Sequence, residues 1–168
     1  MKYLSIVLAL LAMEAKAFNA ADWHGKRELM TREAERLMAA YSNCVARLQT
    51  PAEDVTVPLD TFDDGSVKVL ISAKKAQYFL DSGLVWAEDV VVRRFKKGGA
   101  LEAQIDAKNC VVDRLSKSGW SDGPTVVTHG KTVFAGRGVY FSASEGYVKV
   151  FHDADIVSED LKFGGVYP

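Results

Sequence analysis

The sequence predicts a mostly β fold, a sandwich, roll or solenoid-like stack of short strands, behind one amphipathic helix. Three observations carry this. Apolar residues recur at helical spacing only over residues 25–48. From Ser66 onward, short alternating runs are separated by glycine-rich turns, and no helical period survives. Within that stretch one pattern returns about every 31 residues. The chain has 168 residues, enough for one domain. Its 21 basic and 22 acidic side chains leave a net charge of −1, which argues against a dedicated nucleic-acid binder.

The N-terminus reads as an address. Met1-Lys2 is followed by an apolar run from Tyr3 to Met13 and then by Glu14-Ala15-Lys16-Ala17. A basic start, a short apolar core and an A-x-A site predict a secretory signal peptide over residues 1–20, cleaved near Ala17 or Ala20. The run is about half the ~20 residues that a membrane-spanning helix needs. Export brings Cys44 and Cys110 into an oxidising compartment, where a disulfide between them can persist. Two unconnected buried thiols are the alternative, and geometry decides between them.

Over 25–48, Leu29, Leu37, Tyr41 and Leu48, with Met30, Ala34, Met38 and Val45, recur at three- and four-residue steps. Arg27, Arg32, Arg36 and Arg47 interleave with Glu28, Glu33 and Glu35 on the other face, which predicts a helix that covers part of a sheet. Residues 49–65 read as a linker. Pro51, Asp54, Pro58 and the Asp63-Asp64-Gly65 turn break the pattern, and Val55-Thr56-Val57 leave room for a brief edge strand. The β domain then runs over 66–163.

The repeat is a small residue, a three-residue step, another small residue, two apolar or aromatic residues, a turn and an alternating strand. Ala73-Lys-Lys-Ala76-Gln-Tyr78-Phe79 and Ala135-Gly-Arg-Gly138-Val-Tyr140-Phe141 carry it, and Ala107-Lys-Asn-Cys110 fits it more loosely. Each unit is a strand pair that cannot bury its apolar face alone and must stack on the next. With Val85-Trp-Ala87-Glu-Asp89-Val90-Val91-Val92 and Leu101-Glu-Ala103-Gln-Ile-Asp-Ala107, this pattern resembles the OstA-like family of periplasmic lipopolysaccharide-transport proteins, the LptA/LptC-like group, over roughly residues 66–160. The resemblance implies a twisted β-jellyroll, open along one edge, whose apolar interior holds the acyl chains of lipopolysaccharide or another lipid. It also implies a periplasmic location, edge-to-edge stacking with related β-jellyroll proteins, and self-association.

Strand alternation offers Phe79, Trp86, Val90, Ile105, Phe134, Phe141, Val148 and Val150 as lipid-facing interior positions. A one-residue slip in the face assignment inverts that set. Arg93, Arg94, Lys96 and Lys97 cluster at one hairpin, and Lys131 lies at the same end if the strands meander. They are candidates for a basic rim that meets lipid phosphates or an acidic partner. No catalytic, metal or cofactor signature stands out. Gly130-Lys131-Thr132 lacks the spacing of a phosphate-binding loop, and a strand follows it. His152, Asp153 and Asp155 alternate along a strand, and His24 and His129 lack a neighbouring nucleophile. The expectation is a non-enzymatic carrier, or else a structural scaffold in envelope assembly.

Overall fold

A computed structural model describes residues 6–9 and 20–159. Helix α1 spans Ala20–Ala46. Eight strands share one antiparallel sheet: β1 Ile6–Ala9, β2 Ala52–Thr61, β3 Val67–Phe79, β4 Leu84–Phe95, β5 Leu101–Asp113, β6 Ser118–His129, β7 Thr132–Ser142 and β8 Tyr147–Ser158. The spatial order is β1-β8-β7-β6-β5-β4-β3-β2, a hairpin-by-hairpin meander from β2 to β8 with β1 added outside β8. The two edges do not pair, so the sheet stays open. The mostly β, jellyroll-like fold behind one N-terminal helix is what the sequence predicts.

Every long strand bends near its middle. On one face, the buried residues step by two and then by three: Val69, Ile71, Ala73, then Ala76; Ile105, Ala107, then Cys110, Val112. A three-residue step keeps the same face inward only if the strand turns a corner there. The corners are aligned. Ala73, Val90 and Ala107 form one rung across β3, β4 and β5, and Ala76, Ala87 and Cys110 form the next. Between the rungs, Asp89 adopts a positive φ of 50°, and register shifts fall between Ala107 and Cys110 and between Ser121 and Pro124. The sharpest corner is in β6. Ser121 and Thr125, about 13 Å apart in an extended strand, join their hydroxyls at 2.7 Å. In β7, Gly138 takes φ +61°, where a Cβ would sit 3.1 Å from the Trp120 ring.

The bend folds the sheet into two leaves with an apolar core between them, formed by residues such as Val90, Val112, Val127, Val139 and Phe141. A second core lies outside one leaf, beneath α1. There Met30, Ala34, Leu37 and Cys44 meet Phe79, Leu84, Trp86, Val111, Trp120 and Tyr140. The buried stripe of α1 is narrower than its apolar content suggests, since Leu29, Met38 and Val45 are exposed. Arg36 reaches Asp113 at 2.7 Å and Lys149 reaches the Thr31 hydroxyl at 2.6 Å, fixing the helix to β5 and β8.

Several expectations are corrected. The helix starts five residues earlier than residue 25 and ends two before residue 48. The stretch read as a linker contains β2, ten residues long, and Pro58 is tolerated because β2 is an edge strand. The predicted signal peptide lies outside the described residues, apart from Ile6–Ala9, which pair with Tyr147–Val150, and Ala20, which opens α1. Cys44 and Cys110 are both free. Cys44 belongs to the core under α1 and Cys110 to the core between the leaves.

Two predictions follow from the bend and its core. Ala87→Leu places three more carbons inside the corner, where Ala87 is 1% exposed. It should lower the urea midpoint by about 1–3 kcal/mol of stability with an unchanged m-value. Burial pushes the Cys110 thiol up to about 12, and burial also raises Cys44. Ellman's reagent should therefore find no reactive thiol in the native protein and two after denaturation; a silent denatured sample would establish a disulfide.

Candidate functional site

The space between the leaves is the candidate site, and the bend creates it. Val90, Ile105, Phe134, Phe141, Val148 and Val150, all expected in the interior, lie there. Phe79 and Trp86, expected with them, lie instead under α1. The corner explains the difference. In β4, Val85 and Ala87 face the interior before the bend, and Val90 and Val92 face it after. Strict alternation carried back from Val90 therefore picks Trp86 in place of its two neighbours.

Among the described residues, two polar contacts cross from leaf to leaf. Asp60 on β2 and Lys117 in the β5–β6 hairpin belong to strands three positions apart, at opposite ends of the sheet. Their Oδ1 and Nζ nevertheless lie 2.6 Å apart, and Lys68 Nζ approaches the other carboxylate oxygen at 3.3 Å. Burial pushes the Asp60 carboxyl up, but the Lys117 and Lys68 ammonium groups outweigh it and hold the group below its ordinary range. On the other side of the fold, Arg94 of β4 reaches the carbonyl oxygen of Ala143, just past β7, with Nη1 at 3.4 Å. These contacts have no local sequence signal, because the partners lie 57 and 49 residues apart in the chain.

Each latch stands beside an apolar cleft. One is lined by Val69, Val92, Ile105, Phe141 and Val148, with Arg94 at its lip, and has about 40 Å³ of free space. The other is lined by Val57, Leu59, Ile71, Val85 and Val112, and has about 20 Å³. A small-molecule site offers roughly 300–1,000 Å³. In this closed form the clefts are openings into a packed interior, each with room for about one water.

The rim residues share one end of the sheet, since Ala103 pairs with both Arg94 and His129. They do not act as one surface. Arg93 donates to Gln104 at 3.2 Å, Arg94 is 2.9 Å from Glu102, and Lys131 is 3.9 Å from Glu159. Lys96 and Lys97 are exposed in the hairpin. Among the described residues, no group of three or more His, Cys, Asp and Glu is placed to hold a metal, and no helix is long and apolar enough to cross a membrane.

Comparison with protein-family models and with curated proteins finds no match. The site must be read from its own geometry.

The Asp60 latch can be tested through pH. A carboxyl titrating below its ordinary 3.8 contributes fully above that pH and loses its contribution as pH falls through the folded value. Asp60→Asn should cost on the order of 1 kcal/mol at pH 7. The gap from wild type should close below pH 3.8; a pH-independent gap in urea titrations would remove the ionic latch.

Proposed function

We propose that this protein is a non-enzymatic acyl-lipid-binding component of lipopolysaccharide transport, working in the periplasm after export. It receives acyl chains between the two leaves and stacks its sheet edges on related β-jellyroll domains by strand addition. One observation carries the reading: an apolar interior lies between leaves that are joined along the bend but, across the seam, are held by side-chain latches. Each leaf holds one half of every long strand and the ladder pairs run within the leaves, so the described strands can part at the seam without breaking a ladder hydrogen bond. The edge of β2, and that of β8 once β1 leaves with the signal peptide, are where neighbouring domains would add, among them further copies of this chain.

A scaffold in envelope assembly is the second reading, and the roughly 40 Å³ of free space at the larger cleft favours it. The two separate on whether the seam opens. Asp60→Cys with Lys117→Cys, joined by a short bismaleimide, locks one side of the seam. If the protein is a carrier, lipid A raises the melting temperature of the unlinked double variant, and the linked form loses that rise. Equal melting with and without lipid A, in linked and unlinked protein alike, would leave the scaffold.

A further inference from the structure

Among the described residues, Arg94 is the only charged one lining the cleft at the seam. Its side chain is mostly buried, with 20% of its surface exposed. A guanidinium carries five N–H donors and is uncharged at no accessible pH. Here those donors are poorly used. Glu102 Oε2 lies 2.9 Å from Nε, yet the buried Nε–H has no acceptor in hydrogen-bonding geometry. Nη1 reaches the Ala143 carbonyl only at the long distance of 3.4 Å. The pair with Glu102 compensates charge and orients the plane of the group, but it leaves the buried Nε–H unsatisfied. Burying a donor without an acceptor costs about 1–3 kcal/mol, more for a charged group.

The other lining side chains of this cleft are almost all apolar: Val69, Val92, Ile105, Val127, Phe141 and Val148. A ligand that parts the leaves here breaks the contact between Arg94 and the Ala143 carbonyl. It must then supply an acceptor in place of that oxygen. A neutral hydroxyl head offers the donors a single uncharged acceptor, whereas a carboxylate or phosphate satisfies several of them with charge-assisted bonds. Building on the carrier reading above, we infer that the cleft selects anionic amphiphiles, with the acyl chain inside the roll and the anionic head on the Arg94 guanidinium.

The full chain is titrated calorimetrically at neutral pH, below micelle-forming concentrations, with dodecanoate, dodecyl phosphate and dodecanol. Dodecanoate or dodecyl phosphate should bind at least tenfold more tightly than dodecanol, and the stronger of the two identifies the preferred head. Arg94→Gln should remove that preference while leaving dodecanol unchanged. Glu102→Gln, which relieves the guanidinium of its fixed counter-charge, should strengthen anion binding, and it keeps the test decisive if the Arg94 variant does not fold. Equal affinity for all three probes, or a preference that survives Arg94→Gln, overturns the head-group assignment while leaving the carrier reading intact. Failure of every probe to bind overturns both.

Discussion

The bend across the middle of the sheet governs the rest of the structure, and it rests on side-chain size. The two rungs that flank it run through Ala73, Val90 and Ala107 and through Ala76, Ala87 and Cys110, and continue into Thr125 and Ser121 on β6. Inside a sharp fold, inward Cβ atoms from the two rungs converge, so only small or slender side chains fit. At the next strand even a methyl is too much: a Cβ on Gly136 would overlap Val150 Cγ1. Outside the fold the geometry reverses, and long polar side chains spread into solvent. Lys108 meets Asp89 at 2.6 Å and Lys75 approaches Glu88 at 3.9 Å along that ridge. Small residues inside and ion pairs outside make the corner repeatable from strand to strand.

This explains how much of the fold was legible. The repeated pair of small residues three apart, Ala73 with Ala76 and Ala107 with Cys110, is the corner itself, so the sequence repeat and the structural bend are one feature. In β7 the same spacing, Ala135 with Gly138, is displaced by one residue: Val139 faces the interior, and Gly138 absorbs the backbone turn at φ +61°. What escaped was the consequence for facing. Alternation is a rule for straight strands, and it failed at Phe79 and Trp86, which lie on the far side of a corner from the interior residues they were grouped with. β2 escaped for a different reason. Its burial is slight along its length, so an edge strand bearing Pro58 and Asp54 has the composition of a loop.

The two cores divide the side chains by size. Phe79, Trp86, Trp120 and Tyr140 lie outside the bend, where nothing limits their reach, and α1 is needed to cover them. The helix does so with a stripe of Met30, Ala34, Leu37 and Cys44, small enough for close approach to the aromatic layer. Between the leaves the content is chiefly Val, Ala and Ile, with Phe134 and Phe141 one inward position out from the corner on either side. The apolar residues of α1 spaced for burial in the sequence exceed those that are buried because a helix on a twisted surface touches it along one narrow line.

The same division bears on how an open sheet stays shut. Full exposure of one interior valine costs about 1.5–3 kcal/mol, so even partial parting of the leaves outweighs the two latches many times over. The latches therefore set where the seam sits and which side chains meet there; the apolar contact supplies the closure. On the carrier reading, opening has to be coupled to filling, since an acyl chain returns about 0.8 kcal/mol for each methylene it buries. A chain of a dozen carbons returns about 10 kcal/mol, the worth of several interior valines. A small free volume in the closed form is thus compatible with an empty carrier as well as with a scaffold, because a permanent acyl-sized void lined by valine would forfeit the packing that holds the leaves together.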